Sequence, residues 1–186
     1  MSSVENVTAA KPKIGGSMYV ADVGTVLPTD ATSELDKAFV SLGYISEDGV
    51  KNDNSMKTEQ VKAWGGDVVV NSQTEKNDIF KYKLIEGLNV NVLKNVYGDK
   101  NVTGNLEEGL SVKATVEELK DKSYVIDMIL KGGVLKRVVI PQASLTELGE
   151  IAYKDNAPVG YEISMLALPD KDGATHHEYF KKKAGA

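Results

Sequence analysis

The chain contains no cysteine. Disulfide staples, thiolate metal sites, redox pairs and cysteine nucleophiles are excluded together. Histidine is nearly absent too: only His176 and His177 occur, side by side near the C-terminal end. Neighbours on a strand point to opposite faces, so the two are not expected to share a metal or a substrate. They read as a solvated segment. There is no GxSxG elbow, no P-loop lysine behind a glycine-rich loop and no GxGxxG layout, so the common nucleophile and phosphate-cradling devices are missing. The acid pairs Glu47-Asp48, Glu107-Glu108 and Glu117-Glu118 read as turn and surface decoration. Asp170-Lys171-Asp172-Gly173 resembles the start of a calcium loop but lacks its closing glutamate, and is expected to form an Asx-type turn. The chain is therefore read as a non-enzyme, with no cofactor or metal expected.

Long apolar runs are also missing. The longest are strand-sized and broken by charge, as around Asp127 within residues 124–130, and none approaches the ~20 residues of a membrane-spanning helix. No membrane partner is expected. The polar opening Met1-Ser2-Ser3-Val4-Glu5-Asn6 lacks the charged-then-apolar layout of a signal peptide, so synthesis in a cytoplasm is the default expectation. Basic blocks are scarce: Lys181-Lys182-Lys183 is the largest, against a formal net charge of −5. A chain so balanced has no electrostatic grip on a phosphate backbone.

What is present is β patterning over 186 residues, enough for one domain to bury a real core. Residues 1–13 are expected to form a flexible N-terminal arm, residues 14–180 a single β domain, and residues 181–186 a basic tail. Strands are expected at residues 18–21, 56–64, 67–73 and 79–85, the last by strict alternation of Phe80, Tyr82 and Leu84 against their neighbours. Further strands are expected at 111–116, 123–130 and 134–140, with a tight turn at Lys131-Gly132-Gly133. Residues 145–154 and 161–168 pair as another hairpin, followed by a short edge segment. Helical spacing of Leu35, Ala38, Phe39 and Leu42 after Ser33 predicts a turn or two of helix over residues 33–43. Residues 88–97 favour a second helix, capped by Asn89 and stopped by Gly98. Residues 50–54 read as a polar loop. The sum is a mainly β fold, a sandwich or partly closed barrel with one or two short helices. Trp64, the single tryptophan, lies beside Gly65-Gly66. A lone tryptophan in a β domain serves either as a core anchor or as an interface anchor.

The run Gly43-Tyr44-Ile45-Ser46-Glu47-Asp48-Gly49-Val50, followed by Ala63-Trp64-Gly65-Gly66, resembles the major tail (tail tube) proteins of long-tailed, non-contractile bacteriophages. Ala21-Asp22-Val23-Gly24-Thr25-Val26-Leu27-Pro28-Thr29-Asp30 is similar to that family's opening, and Leu84-Ile85-Glu86, Val96-Tyr97-Gly98 and Val139-Ile140-Pro141 follow in order. The resemblance spans most of residues 15–170. It implies a β-sandwich or barrel-like subunit with a flanking helix, forming hexameric rings that stack into the tail tube of a virion. It also implies a tape-measure protein in the lumen, terminator and tail-tip proteins at the ends, and DNA passing through without specific binding. A sparsely basic chain suits such a lumen. Asp48, Gly49, Val50, Lys51, Asn52, Asp53 and Asn54, with Trp64, are the candidate ring-stacking or subunit interface, and the N-terminal arm is a second candidate for stacking. The competing expectation is a monomeric β-sandwich binding module, such as an adhesin or a baseplate or capsid decoration domain.

Overall fold

The computed structural model describes residues 2–13 and 16–182. The strands are β1 Ala10–Pro12, β2 Met18–Asp22, β3 Val40–Ser41, β4 Lys51–Lys62 and β5 Val68–Leu84. Helix α1, Val90–Tyr97, follows. The remaining strands are β6 Val102–Asn105, β7 Gly109–Val112, β8 Lys122–Leu130, β9 Val134–Leu148, β10 Tyr161–Ala167 and β11 His177–Lys182. Nine of them form one sheet along the path β3-β2-β8-β9-β10-β5-β4, with β1 added to β8 and β11 to β9. Every pairing is antiparallel, and the sheet is not closed into a barrel. Strands β6 and β7 form a separate hairpin.

Strand β9 joins the two halves of the sheet. Its first part pairs with β11, from Val134↔Lys182 to Val139↔His177, and its second part pairs with β10, from Ala143↔Ala167 to Leu148↔Ile163. Between them lies Pro141, which has no N–H to give to a ladder. The chain of β10 and β11 thus follows one edge of β9 with an excursion, residues 168–176, in the middle. Strands β1 and β2 share an edge of β8 in the same way, at Met128–Leu130 and Lys122–Ile126. Residues 10–12 of the expected N-terminal arm are therefore paired strand.

Alternation decides which side chains meet. Tyr124 and Ile126 of β8, Val138 and Ile140 of β9, Ile163 and Met165 of β10, and Phe80, Tyr82 and Leu84 of β5 face one core, which α1 closes with Val92, Leu93 and Val96. Val125 and Val139 face the other way, where Ala21, Phe39, Leu27 and Leu35 cover them. The charge that interrupts β8, Asp127, lies on this second face directly across from Arg137.

Helix α1 forms as expected: Asn89 Oδ1 accepts the Asn91 N–H at 3.0 Å, and Gly98 ends the helix. The turn at Lys131–Gly133 is found as well, with Gly132 at φ 76°. Several expectations need correction. The strands expected at 134–140 and 145–154 are one, β9, which ends at Leu148. Residues 33–43 form no helix. Asp30 Oδ1 instead accepts the N–H groups of Thr32 and Ser33, and Asp36 Oδ1 accepts that of Ala38, so local side chains take the donors a helix would use. Leu35 and Phe39 are held down by the second core. The strand expected at residues 111–116 stops at Val112, because β6, its partner, offers only Val102–Asn105. The strands expected at 67–73 and 79–85 are one, the 17-residue β5.

Candidate functional site

Only the last third of β5 lies in the body. Residues Ile79–Leu84 pair with Leu166–Tyr161 of β10, and beyond Ile79 β5 is paired with β4 alone. From there to the turn at Ala63–Asp67 the two strands form a free ribbon. Asn54 to Trp64 at strand rise reaches roughly 35 Å from the body. All residues from 51 to 76 are exposed. The sequence cause is visible: β4 has only Met56 and Val61 as apolar residues, too few for a core-facing stripe. Two-stranded hairpins without other support are marginal in water. The ribbon is held by its own ladder and by pairs such as Lys57–Glu75, 2.7 Å apart.

The tip concentrates apolar surface. Val61 opposes Val70 across the ladder, Val68 and Val69 adjoin them, and all four are exposed. Trp64 is 107% exposed at the turn, so the core-anchor reading is overturned. An indole and four valines in water, at the end of an arm, is surface of the kind that ends up covered by a partner.

Other predicted interface residues divide. Asp48 is exposed in the turn before β4 and Val50 packs against the main core. Lys51, Asn52, Asp53 and Asn54 are not a polar loop but the first rungs of β4, opposite Lys81, Phe80, Ile79 and Asp78. The loop reading failed because a strand with no buried face leaves no hydrophobic period in the sequence. Sequence reasoning missed Val68, Val69 and Val70 as tip residues, although three valines beside Gly65-Gly66 were a legible signal of a strand end.

At the root of the arm sits Asp78, 1% exposed. Asn52 Nδ2 donates to its Oδ1 at 2.6 Å, while Thr175 Oγ1 and His176 Nδ1 each lie 2.5 Å from its Oδ2. Burial disfavours the charged carboxylate, yet the hydrogen bonds from Thr175, Asn52 and His176 outweigh it and hold the pKa below the ordinary value. The expectation that the histidines lie in a solvated segment fails here. His176 is largely buried with its ring edge against Phe80, centroids 5.4 Å apart, and His177 reaches Asp170 at 3.0 Å. The two do point to different partners. Asp170 also accepts the N–H groups of Asp172 and Ala174, which is the expected Asx-type turn. Gly15 and residues 183–186, part of the expected glycine turn and basic tail, lie outside the described residues.

Two adjoining clefts flank α1, lined in common by Lys94, Asn95, Asp99 and Lys122; the larger has a volume of about 230 Å³. Their polar groups are mostly engaged with one another, Lys122 bridging Asp22 and Asp99. Among the described residues no group of three or more acids and histidines is placed to hold a metal, and no helix is long and apolar enough to cross a membrane.

The fold is thus an open β body that carries a long exposed arm with an apolar tip. The profile of a family described as phage tail tube protein matches residues 5–185, and the chain belongs to that family. It is thus a structural component of a phage tail, not an enzyme. No curated protein matches it by sequence. Similar solved structures include the tube-terminating cap of the anti-feeding prophage: 10% identity, TM-score 0.46, covering 92% of this chain and 93% of that one. A chain of the sheath-tube complex of an extracellular contractile injection system shows 9% identity and TM-score 0.42, with 93% of each chain covered. A chain of the sheath/tube terminator of such a system shows 11% identity and TM-score 0.38, with 90% and 96% covered. With identities of 9–11% and TM-scores of 0.38–0.46, none of the three bears on how this chain assembles.

Proposed function

We propose that this chain is the repeating subunit of a long-tailed phage tube, of the non-contractile type its sequence resembles, forming hexameric rings that stack into a conduit for DNA. The observation that carries the reading is the arm: a ribbon of 12-residue β4 and 17-residue β5 with Val61, Trp64, Val68, Val69 and Val70 exposed at its far end. Isolated in water such a tip is a liability, and a second copy of the chain is the partner that a tube guarantees.

Exposed apolar side chains also lie toward the opposite end of β5. Tyr44, next to Ile85, and Leu88, in the turn before α1, are both exposed there, with Tyr153 near Tyr97 and Tyr161. An arm at one end and an apolar patch at the other make a heterologous contact, which propagates where a two-fold contact would close. Asp48 to Asn54 form the base of the arm in this arrangement, Trp64 its anchor, and the N-terminal residues a further stacking contact. The tape-measure protein would fill the lumen, and terminator and tip proteins would cap the ends.

The test is negative-stain electron microscopy with light-scattering mass on the purified chain at high concentration. Hollow tubes or six-membered rings are expected. A chain that stays monomeric even with tape-measure and tail-tip proteins added would overturn the reading in favour of a monomeric binding module.

A further inference from the structure

The arm leaves the body at a fork. Strand β10 stops pairing with β5 at Leu166↔Ile79, and one residue further along β5 stands Asp78. The chain beyond β10 then makes its excursion, residues 168–176, and turns at Asp170. It returns to the same edge of β9 as β11, at His177↔Val139. The excursion brings Thr175 and His176 onto Asp78 at the fork itself. Asn52 reaches the same carboxylate from β4. A carboxylate only accepts, so all three groups donate to it. One acidic side chain therefore ties both strands of the arm to a third segment distant in sequence.

A hinge would be expected at this place. Inside the fork β5 has two strand neighbours and a core face through Phe80; outside it has one neighbour and no core. Nothing apolar wedges the ribbon from Asn77 outward, since its residues are polar up to Val70 apart from Met56 and Val61. The Asp78 node is what stands where the support ends.

We infer that Asp78, Thr175 and His176 form a polar clamp that sets the bearing of the arm on the body. The excursion before β11 is then a positioning element for the inter-subunit contact; this last step rests on the proposed role of the arm. Charge-assisted hydrogen bonds suit the purpose because they are directional and can be exchanged, whereas apolar packing would seal the arm in one place.

The lack of cysteine makes the test direct. Spin labels at Thr58→Cys on the arm and Lys100→Cys on the body report their separation by pulsed electron paramagnetic resonance, on dispersed chain below the assembly concentration. A single narrow distance distribution is expected for the unmodified clamp. Thr175→Val and His176→Phe, singly and together, should broaden it at least twofold and lower tube yield at least tenfold, with the circular dichroism of the body unchanged. His176→Phe keeps a ring against Phe80 and removes only the donor. Lys57→Ala, which cuts a pair within the ribbon, should leave the distribution unaltered. An unchanged distribution in the clamp variants overturns the inference, as does loss of the body's fold in both single variants. Because the distance is read without assembly, a narrow-to-broad change with no tubes in any sample would uphold the clamp while counting against the tube reading.

Discussion

Arg137 and Asp127 stand directly opposite each other on β9 and β8 and form a buried two-point ion pair, Nε to Oδ1 at 2.6 Å and Nη2 to Oδ2 at 2.9 Å. The remaining Arg137 nitrogen donates to the backbone oxygens of Asp30 at 3.1 Å and Ser33 at 2.8 Å. The pair thus pins the loop over residues 27–39 onto the second face of the sheet, and Lys13 adds a third contact to Asp127 at 3.1 Å. Breaking a buried pair from one side leaves an uncompensated charge, at about 3–5 kcal/mol. Asp127→Ala should lose that much in urea unfolding. Asp127→Leu combined with Arg137→Met should lose less, because no charge is stranded, while amide exchange over residues 27–39 rises.

Acid should cost the fold the stability that Asp78 holds at the arm's root. Asp78 has a depressed pKa in the fold, so its contribution is present above the unfolded carboxylate value of about 4 and is lost as pH falls through the folded value. Thermal unfolding followed from pH 7 down to pH 2 should therefore fall more steeply for the natural chain than for Asp78→Asn. Parallel curves would show that Asp78 carries no such linkage.

The alkaline limb has a different origin. Burial, the largest cause, raises the phenols of Tyr82 and Tyr124 above the ordinary value, and the Tyr124 hydroxyl donates to Asn95 Oδ1 at 3.0 Å. Both stay neutral in the fold, so the stability they hold is intact below about pH 10 and lost above it, as the unfolded chain ionises first. Tyr124→Phe should flatten that limb in urea titrations between pH 9 and pH 12.

Local devices allow smaller tests. Asn89→Ala removes the cap of α1 and should cost about 1 kcal/mol with an unchanged urea slope. Gly104 in β6 has φ 87°, and a Cβ there would lie 2.0 Å from the Gly109 carbonyl oxygen. Gly104→Ala should cost more than about 1 kcal/mol and open the β6–β7 hairpin, seen as faster amide exchange at Val102 and Val112.

The tip should behave in the opposite way. Trp64→Ala touches nothing within the subunit's core, so stability should stay within about 0.5 kcal/mol of the natural chain. Tube formation should nevertheless be lost, measured by sedimentation and electron microscopy. Normal tubes from Trp64→Ala combined with Val61→Ser would remove the tip from the interface.

Much of this was legible along the chain, because strands with one buried face must alternate and helices need caps. Residues 79–85, 123–130 and 161–168, the Asn89 cap and the Lys131–Gly133 turn are local signals, and the structure contains each of them. The resemblance on Gly43 to Gly66 pointed to the family that the whole-chain match supports. What local reading could not supply was decided by partners far away in sequence. Residues 33–43 carry helical spacing, yet beside the local turns of Asp30 and Asp36 it is Arg137, more than 90 positions on, that holds the carbonyls of Asp30 and Ser33. Residues 51–54 have no apolar period because their side chains are never buried, so they looked like a loop and are instead the start of the strand expected only from residue 56. Nothing along the chain singles out Asp78; the fold lays Thr175 and His176 on it, and Trp64 could have been core or interface until β4 and β5 carried it out into solvent. Periodicity and capping are properties of neighbours and can be read in order; burial at a fork or exposure at a tip depends on which distant strand runs out first, and only the tertiary structure decides that.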